Sequence, residues 1–168
     1  MLRHLRNLTL ALWAASSAYG AGTVTSSLGQ VGTSPVWVLQ FNWTGDAVTG
    51  SVPSTISTSL ISVQGYFPTQ MEIVPGSPAP TNGYSLTVTD QSGVDIFAGS
   101  ATSLSSSSAS SFTTPTSIPP VVGNYTIAVT GNSVASAKGS VLIYLVKAGT
   151  VNLAQLRGTS AGAAGSNY

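Results

Sequence analysis

The fold is decided by residues 36–43, which read VWVLQFNW. Apolar side chains recur there at every second position, and they are Trp37, Leu39, Phe41 and Trp43. A period of two places alternate side chains on one face of an extended chain. The stretch therefore predicts a β-strand with one face packed in a hydrophobic core.

The rest of the body repeats this pattern of short extended segments separated by turn-forming residues. No stretch outside the N-terminus has a convincing helical period. Residues 90–93 (DQSG) predict a tight hairpin turn in which Asp90 bonds backbone N–H groups. The Ser/Thr/Pro-rich residues 99–120 predict a long exposed loop. The segments predicted to be extended are 47–52, 56–64, 66–74, 84–89, 94–97, 124–130 and 141–146.

This spacing predicts an all-β fold, with about seven to eight short strands in an antiparallel β-sandwich or a small barrel. We assign the sandwich domain to residues 31–147 and expect extended N- and C-terminal arms on either side. Residues 141–146 (VLIYLV) are almost continuously apolar, so this strand is predicted to be buried on both faces. Residues 148–168 form a Gly/Ala/Ser-rich C-terminal tail.

Residues 1–30 are predicted to be a signal-like segment or an N-terminal arm. Arg3, His4 and Arg6 precede a short apolar run at 8–15, and small residues follow up to Gly20. This order is typical of a secretory signal peptide that is cleaved after about 20 residues. It is also compatible with an arm that stays on the protein and docks on a neighbouring subunit.

Charge and cysteine content restrict the function more than any motif does. The 168 residues include five Lys and Arg, four Asp and Glu, one His and no Cys. Charged residues make up 5% of the chain, against about 25% in an ordinary soluble domain. The net charge of +1 is too small for nucleic-acid binding, and no apolar run is long enough for a membrane-spanning helix. We therefore predict a structural or binding protein without enzymatic activity, metal or cofactor.

Two motifs that suggest chemistry lack the context that the chemistry needs. Residues 158–162 (GTSAG) match the G-x-S-x-G pattern of serine hydrolases, but they lie in a small-residue tail and the sole histidine is His4. Asp90 and Asp95 flank the predicted hairpin, whereas a calcium site requires six or more oxygen ligands. The sequence therefore predicts neither a catalytic nor a metal site.

Aromatic residues offer either core packing or a binding surface. Trp37 and Trp43 share a strand face, so we assign them to the core rather than to a carbohydrate-binding platform. Other large apolar residues are the candidates for contact with a partner. These interface candidates are Tyr66, Phe67, Phe97, Phe112, Leu153 and Leu156.

Three blocks of the body carry a resemblance to a known group. They are FNWT (41–44) with VTGSV (48–52), PGSPAPTNGYSLTVTDQSGVD (75–95) with Gly99, and TGNSVASAKGSV (130–141). Over roughly residues 40–146 the chain resembles small, largely uncharacterised proteins encoded among the virion structural genes of tailed bacteriophages. The resemblance implies a virion component, such as a capsid decoration or minor head protein, and it implies no reaction.

Such a protein is expected to bind other virion proteins, and to form a homo-oligomer, through uncharged β surfaces and terminal arms. The alternative expectation is a secreted bacterial surface or adhesive β-sandwich module, exported by residues 1–20. The two differ in localisation: the virion in the first case and the extracellular space in the second.

Overall fold

The computed structural model describes residues 20–115 and 119–147. These residues form eight strands and one short 3-10 turn, Ile61–Val63. The strands are β1 (Thr23–Gln30), β2 (Val36–Thr44), β3 (Thr55–Ile56), β4 (Tyr66–Pro75), β5 (Ser85–Thr89), β6 (Ser110–Thr113), β7 (Thr126–Thr130) and β8 (Lys138–Lys147).

The strands build two antiparallel sheets. One sheet has five strands in the order β1-β2-β8-β4-β6, and the other has three in the order β3-β7-β5. The prediction of an all-β antiparallel sandwich is confirmed, and of the two predicted architectures the chain adopts the sandwich. The longest strands, β4 and β8 with ten residues each, lie side by side in the larger sheet.

The core lies between the two sheets and is filled by alternate residues of the central strands. In β2 the alternation predicted from residues 36–43 is confirmed, because Leu39, Phe41 and Trp43 are almost completely buried. Trp37 is partly buried and packs against the same cluster at the end of the strand. The facing sheet contributes buried residues on β5 and β7, which are Leu86, Val88, Ile127 and Val129.

Residues 56–64 were predicted as a strand, and this prediction is wrong beyond Ile56. Ile56 ends β3, and the chain then forms the 3-10 turn. Leu60 and Val63 are buried, whereas Ile61 is 76% exposed. Buried residues three positions apart match one turn of a 3-10 helix and not the period of a strand.

Two other boundaries predicted from the sequence differ from those in the structure. β1 lies within residues 1–30, where an arm was predicted, so the sandwich begins before the expected boundary at residue 31. The predicted loop at 99–120 contains β6, which pairs with β4 at the edge of the larger sheet. The assignments for residues 1–19 and 148–168, including the cleavable signal peptide and the C-terminal tail, lie outside the described residues.

One contact in the core leads to a testable prediction. The rings of Trp43 and Tyr84 are tilted at 57° with centroids 6.0 Å apart. The hydroxyl of Tyr84 is buried without a hydrogen-bond partner among the described residues, and burial raises the pKa of this phenol. An unpaired buried polar group costs about 1–3 kcal/mol. Tyr84→Phe is therefore expected to leave the protein at least as stable, with a gain of up to about 1 kcal/mol.

The measurement is urea unfolding followed by circular dichroism. Tyr144→Phe is the matched control, because the Tyr144 hydroxyl is hydrogen-bonded to Glu72 on the outer side of the sheet. Its loss is expected to change stability by less than about 0.5 kcal/mol. A clear loss of stability in Tyr84→Phe would contradict the prediction, since it would mean that the hydroxyl has a partner.

Candidate interaction surface

The strands of the larger sheet present their second set of alternate side chains to the side away from the core. We call this side the outer face. Directly paired residues of neighbouring strands share a face, so the pairing register defines which side chains meet there. Three rows cross one end of this face on β2, β8 and β4: Val36–Val146–Phe67, Val38–Tyr144–Gln70 and Gln40–Leu142–Glu72.

Apolar side chains dominate these rows, and we call six of them the apolar patch. The patch residues are Val36, Val38, Phe67, Leu142, Tyr144 and Val146. Val146 is 6% exposed, and the other five are half-buried. In a two-layer sandwich the face away from the core is commonly solvated and polar. An apolar patch on that face is a composition typical of a contact surface.

The sequence contains the signal for this patch in β8. Residues 141–146 were predicted to be buried on both faces because apolar residues occupy both alternating positions. On the core side Val141, Ile143 and Leu145 are fully buried, as predicted. On the outer face Leu142 and Tyr144 are only half-buried. The second face of β8 is therefore apolar, but the sandwich itself does not cover it fully.

The patch contains almost no charge. Glu72 is the ionisable carboxyl in the three rows, and its Oε2 accepts a hydrogen bond from the Tyr144 hydroxyl at 3.3 Å. Burial, followed by the nearby Glu72 carboxylate, raises the pKa of Tyr144, so the phenol stays protonated at neutral pH. A partner would thus meet apolar atoms and one hydrogen-bonded pair.

Polar side chains lie beside the patch. Gln40 Nε2 donates to Asn42 Oδ1 at 2.9 Å, and Gln70 Nε2 donates to Ser111 Oγ at 2.7 Å. The outward residues of the edge strand β1 are hydroxyl-bearing as well, at Thr25 and Ser27. Apolar residues bordered by hydrogen-bonding side chains are a usual composition of a protein–protein interface.

The predicted interface residues do not form one surface. Phe67 lies in the apolar patch, opposite Val146. Tyr66 and Phe112 are partly buried and pack against the core; Phe112 pairs with the fully buried Met71 and so faces inward. Leu153 and Leu156 lie outside the described residues.

Phe97 was predicted at an interface, and the structure corrects this assignment. Its side chain is 2% exposed and belongs to the core. Its backbone N–H donates to Asp95 Oδ1 at 2.9 Å, and its carbonyl accepts the N–H of Ser100 at 3.1 Å. These bonds form a tight turn that directs the ring inward, away from any partner.

Both acidic residues near the hairpin hold turns, a role that was predicted for Asp90. Asp90 Oδ1 accepts hydrogen bonds from the N–H groups of Ser92 at 2.8 Å and Val94 at 3.0 Å, which confirms that Asp90 holds the turn. Asp95 Oδ2 accepts the N–H of Gly99 at 2.8 Å. Within residues 20–115 and 119–147, no three His, Cys, Asp or Glu side chains form a group that could hold a metal ion. The G-x-S-x-G motif and His4 lie outside the described residues.

No protein-family model, no curated protein and no solved structure matches this chain. In the part of the chain that the structure describes, no helix has the length and hydrophobicity to cross a membrane. The outer face must therefore be interpreted from its own composition and geometry.

Proposed function

We propose that this protein is a non-enzymatic structural component of a bacteriophage virion, a capsid decoration or minor head protein that binds a neighbouring virion protein through the outer face of its larger sheet. The observation that carries the proposal is the apolar patch at one end of a face that a two-layer sandwich leaves open. The resemblance of residues 40–146 to phage virion proteins is the reason for proposing a virion as the assembly to which the protein binds.

The energetics of the patch support a stable contact. Burial of a half-exposed valine or leucine contributes on the order of 1 kcal/mol, at about 25 cal/mol per Å² of apolar surface. Five of the six patch side chains are half-buried and are available for such burial, whereas Val146 is already buried. Since Glu72 is the carboxyl beside the patch, affinity would depend on shape and apolar burial and would change little with salt.

The use of the acidic residues supports a role without catalysis. The chain has four Asp and Glu residues in total, and each accepts hydrogen bonds from its surroundings. Asp46 binds the N–H groups of Thr49 and Val48, both at 2.8 Å, and these backbone bonds lower its pKa. Asp90 and Asp95 hold turns in the same way, and Glu72 accepts from Tyr144. Acids fixed in turns stabilise a fold and are poorly placed for general acid–base work.

The test is co-sedimentation of the purified full chain with phage particles that lack it. The double variant Leu142→Lys/Tyr144→Lys places two charges in the apolar patch, and we expect it to weaken particle binding by about 100-fold or more, because each buried lysine loses an apolar contact and must be desolvated. Thr87→Lys is the matched control: it places a lysine in the middle of β5, on the outward side of the smaller sheet. Its binding is expected to equal that of the wild type.

Two results would contradict the proposal. One is equal particle binding by the patch variant and the control, with both folded by circular dichroism. The other is a chain that never occurs in purified particles but is recovered from the culture medium without its first 20 or so residues. The second result would favour the secreted surface module instead.

A further inference from the structure

The sheet edges of this protein are protected unequally. β3 and β6 expose short edges of two and four residues. The free side of β5 is covered by the chain that follows it. Leu86 N–H donates to the Ala101 carbonyl at 2.9 Å, and the Val88 carbonyl accepts the N–H of Ile96 at 2.9 Å. β1, with eight residues, is the longest edge.

β1 also lacks the features that normally prevent edge strands from pairing. Its sequence is TVTSSLGQ, which contains no charged residue and no proline. Its register with β2 runs from Thr23 to Gln30 without a bulge. Natural edge strands usually carry a lysine, a proline or a bulge, because an uninterrupted edge offers a template for another strand.

The hydrogen-bond pattern shows which backbone groups this edge offers. Val31 N–H donates to the Val36 carbonyl at 3.0 Å, so the pair 31–36 is a hydrogen-bonded pair of the β1–β2 hairpin. Such pairs alternate along an antiparallel ladder. Val24, Ser26 and Leu28 therefore direct their backbone N–H and C=O groups away from β2. No described residue bonds these N–H and C=O groups on that side, whereas the Ser26 side-chain Oγ accepts the N–H of Thr58 at 2.6 Å.

The side chains of β1 are self-complementary about Ser26. When two copies pair antiparallel with Ser26 opposite Ser26, Val24 of one copy lies opposite Leu28 of the other, and Thr25 lies opposite Ser27. Val24 and Leu28 are both packed against the core cluster in the single chain. This register thus places apolar residues together on the core side and hydroxyls together on the outer face, with no like charges in contact.

We propose that β1 pairs antiparallel with β1 of a second copy, in this register, and joins the two larger sheets into one continuous sheet. The inference rests on the function proposed above, for which it names one partner, the same chain. The two-fold axis stands perpendicular to the sheet, so both outer faces point to the same side. A dimer would then offer two apolar patches to one capsid surface, and two linked contacts bind far more tightly than one.

The test is the oligomeric state of the full chain by analytical ultracentrifugation. The wild type is expected to be dimeric, and Thr25→Lys/Ser27→Lys is expected to be monomeric, because lysines of the two copies face each other. Both positions are exposed, so the fold should be unchanged. Thr25→Lys/Ser27→Asp places a lysine of each copy opposite an aspartate of the other and should restore the dimer. Thr113→Lys, on the opposite edge strand β6, is the control and should remain dimeric.

A monomeric wild type, or a dimer that survives Thr25→Lys/Ser27→Lys, would overturn the inference. Failure of Thr25→Lys/Ser27→Asp to restore the dimer would overturn the register. Particle binding measured in parallel separates this inference from the proposed function. A monomeric wild type that still binds particles would contradict the β1 dimer but not the proposed virion function. A β1-dependent dimer that binds no particles would support the dimer and contradict the virion function.

Discussion

Trp43→Ala is expected to lower the free energy of unfolding by about 3–5 kcal/mol, the range for removing a buried aromatic side chain. Trp43 is 2% exposed and is the largest of the fully buried residues. Its indole lies between the ring of Tyr84 and the backbone of Gly139, where little can move to fill a cavity. The measurement is urea unfolding followed by circular dichroism, which does not depend on tryptophan fluorescence.

Trp37→Ala is the matched control, because Trp37 lies on the same face of the same strand but is only partly buried. Its expected loss is less than half that of Trp43→Ala, because less apolar surface leaves water when this residue folds. Equal losses for the two variants would contradict the packing described for the core.

Gly139→Ala is expected to lower the free energy of unfolding by about 1–3 kcal/mol, although alanine is only one methyl group larger. A Cβ at this position would lie 2.5, 2.6 and 2.8 Å from three atoms of the Trp43 indole. The two residues are direct cross-strand partners in β2 and β8, so neither backbone can move away without breaking the ladder. Urea unfolding measures the effect.

Two further variants test the cause. In a Trp43→Leu background the added methyl group has room, so Gly139→Ala should cost clearly less there, with a coupling of at least about 0.5 kcal/mol. Gly29→Ala on the edge strand β1 is the control: a Cβ there meets no atom within 4 Å, and a small gain in stability is expected. Additive effects of Gly139→Ala and Trp43→Leu would show that the indole is not what excludes the methyl group.

The sequence predicts those parts of the fold that depend on local pattern. The alternation over residues 36–43 was sufficient to assign Leu39, Phe41 and Trp43 to the core, because the side-chain period of a strand depends only on its own backbone. The strand prediction for residues 56–64 failed because Ser, Thr and Ile favour strands by composition. The burial of Leu60 and Val63 depends instead on tertiary packing, which local composition does not show.

The candidate surface was harder to predict for the same reason. Phe97 and Phe67 are equally apolar, so the sequence does not distinguish them. The turn held by Asp95 directs the Phe97 ring inward, whereas the register of β4 leaves the Phe67 ring on the outer face. The apolar residues at both alternating positions of β8 did indicate a second apolar face. Phe67 was predicted as an interface residue, but its position beside β8 and that of Val38 could not be inferred, because a pairing register between distant strands is a property of the whole fold.

The position of β8 has a consequence for how the protein is made. β8 is the last of the eight strands in residues 20–115 and 119–147, yet it occupies the middle of the larger sheet, between β2 and β4. Val36 emerges from the ribosome roughly a hundred residues before Val146, its eventual neighbour. Until then the nascent chain holds a β1–β2 hairpin and a β4–β6 pair with nothing to join them. Assembly of the larger sheet should therefore be slow and wait for β8, and the unjoined strands depend on protection from aggregation until β8 has been made.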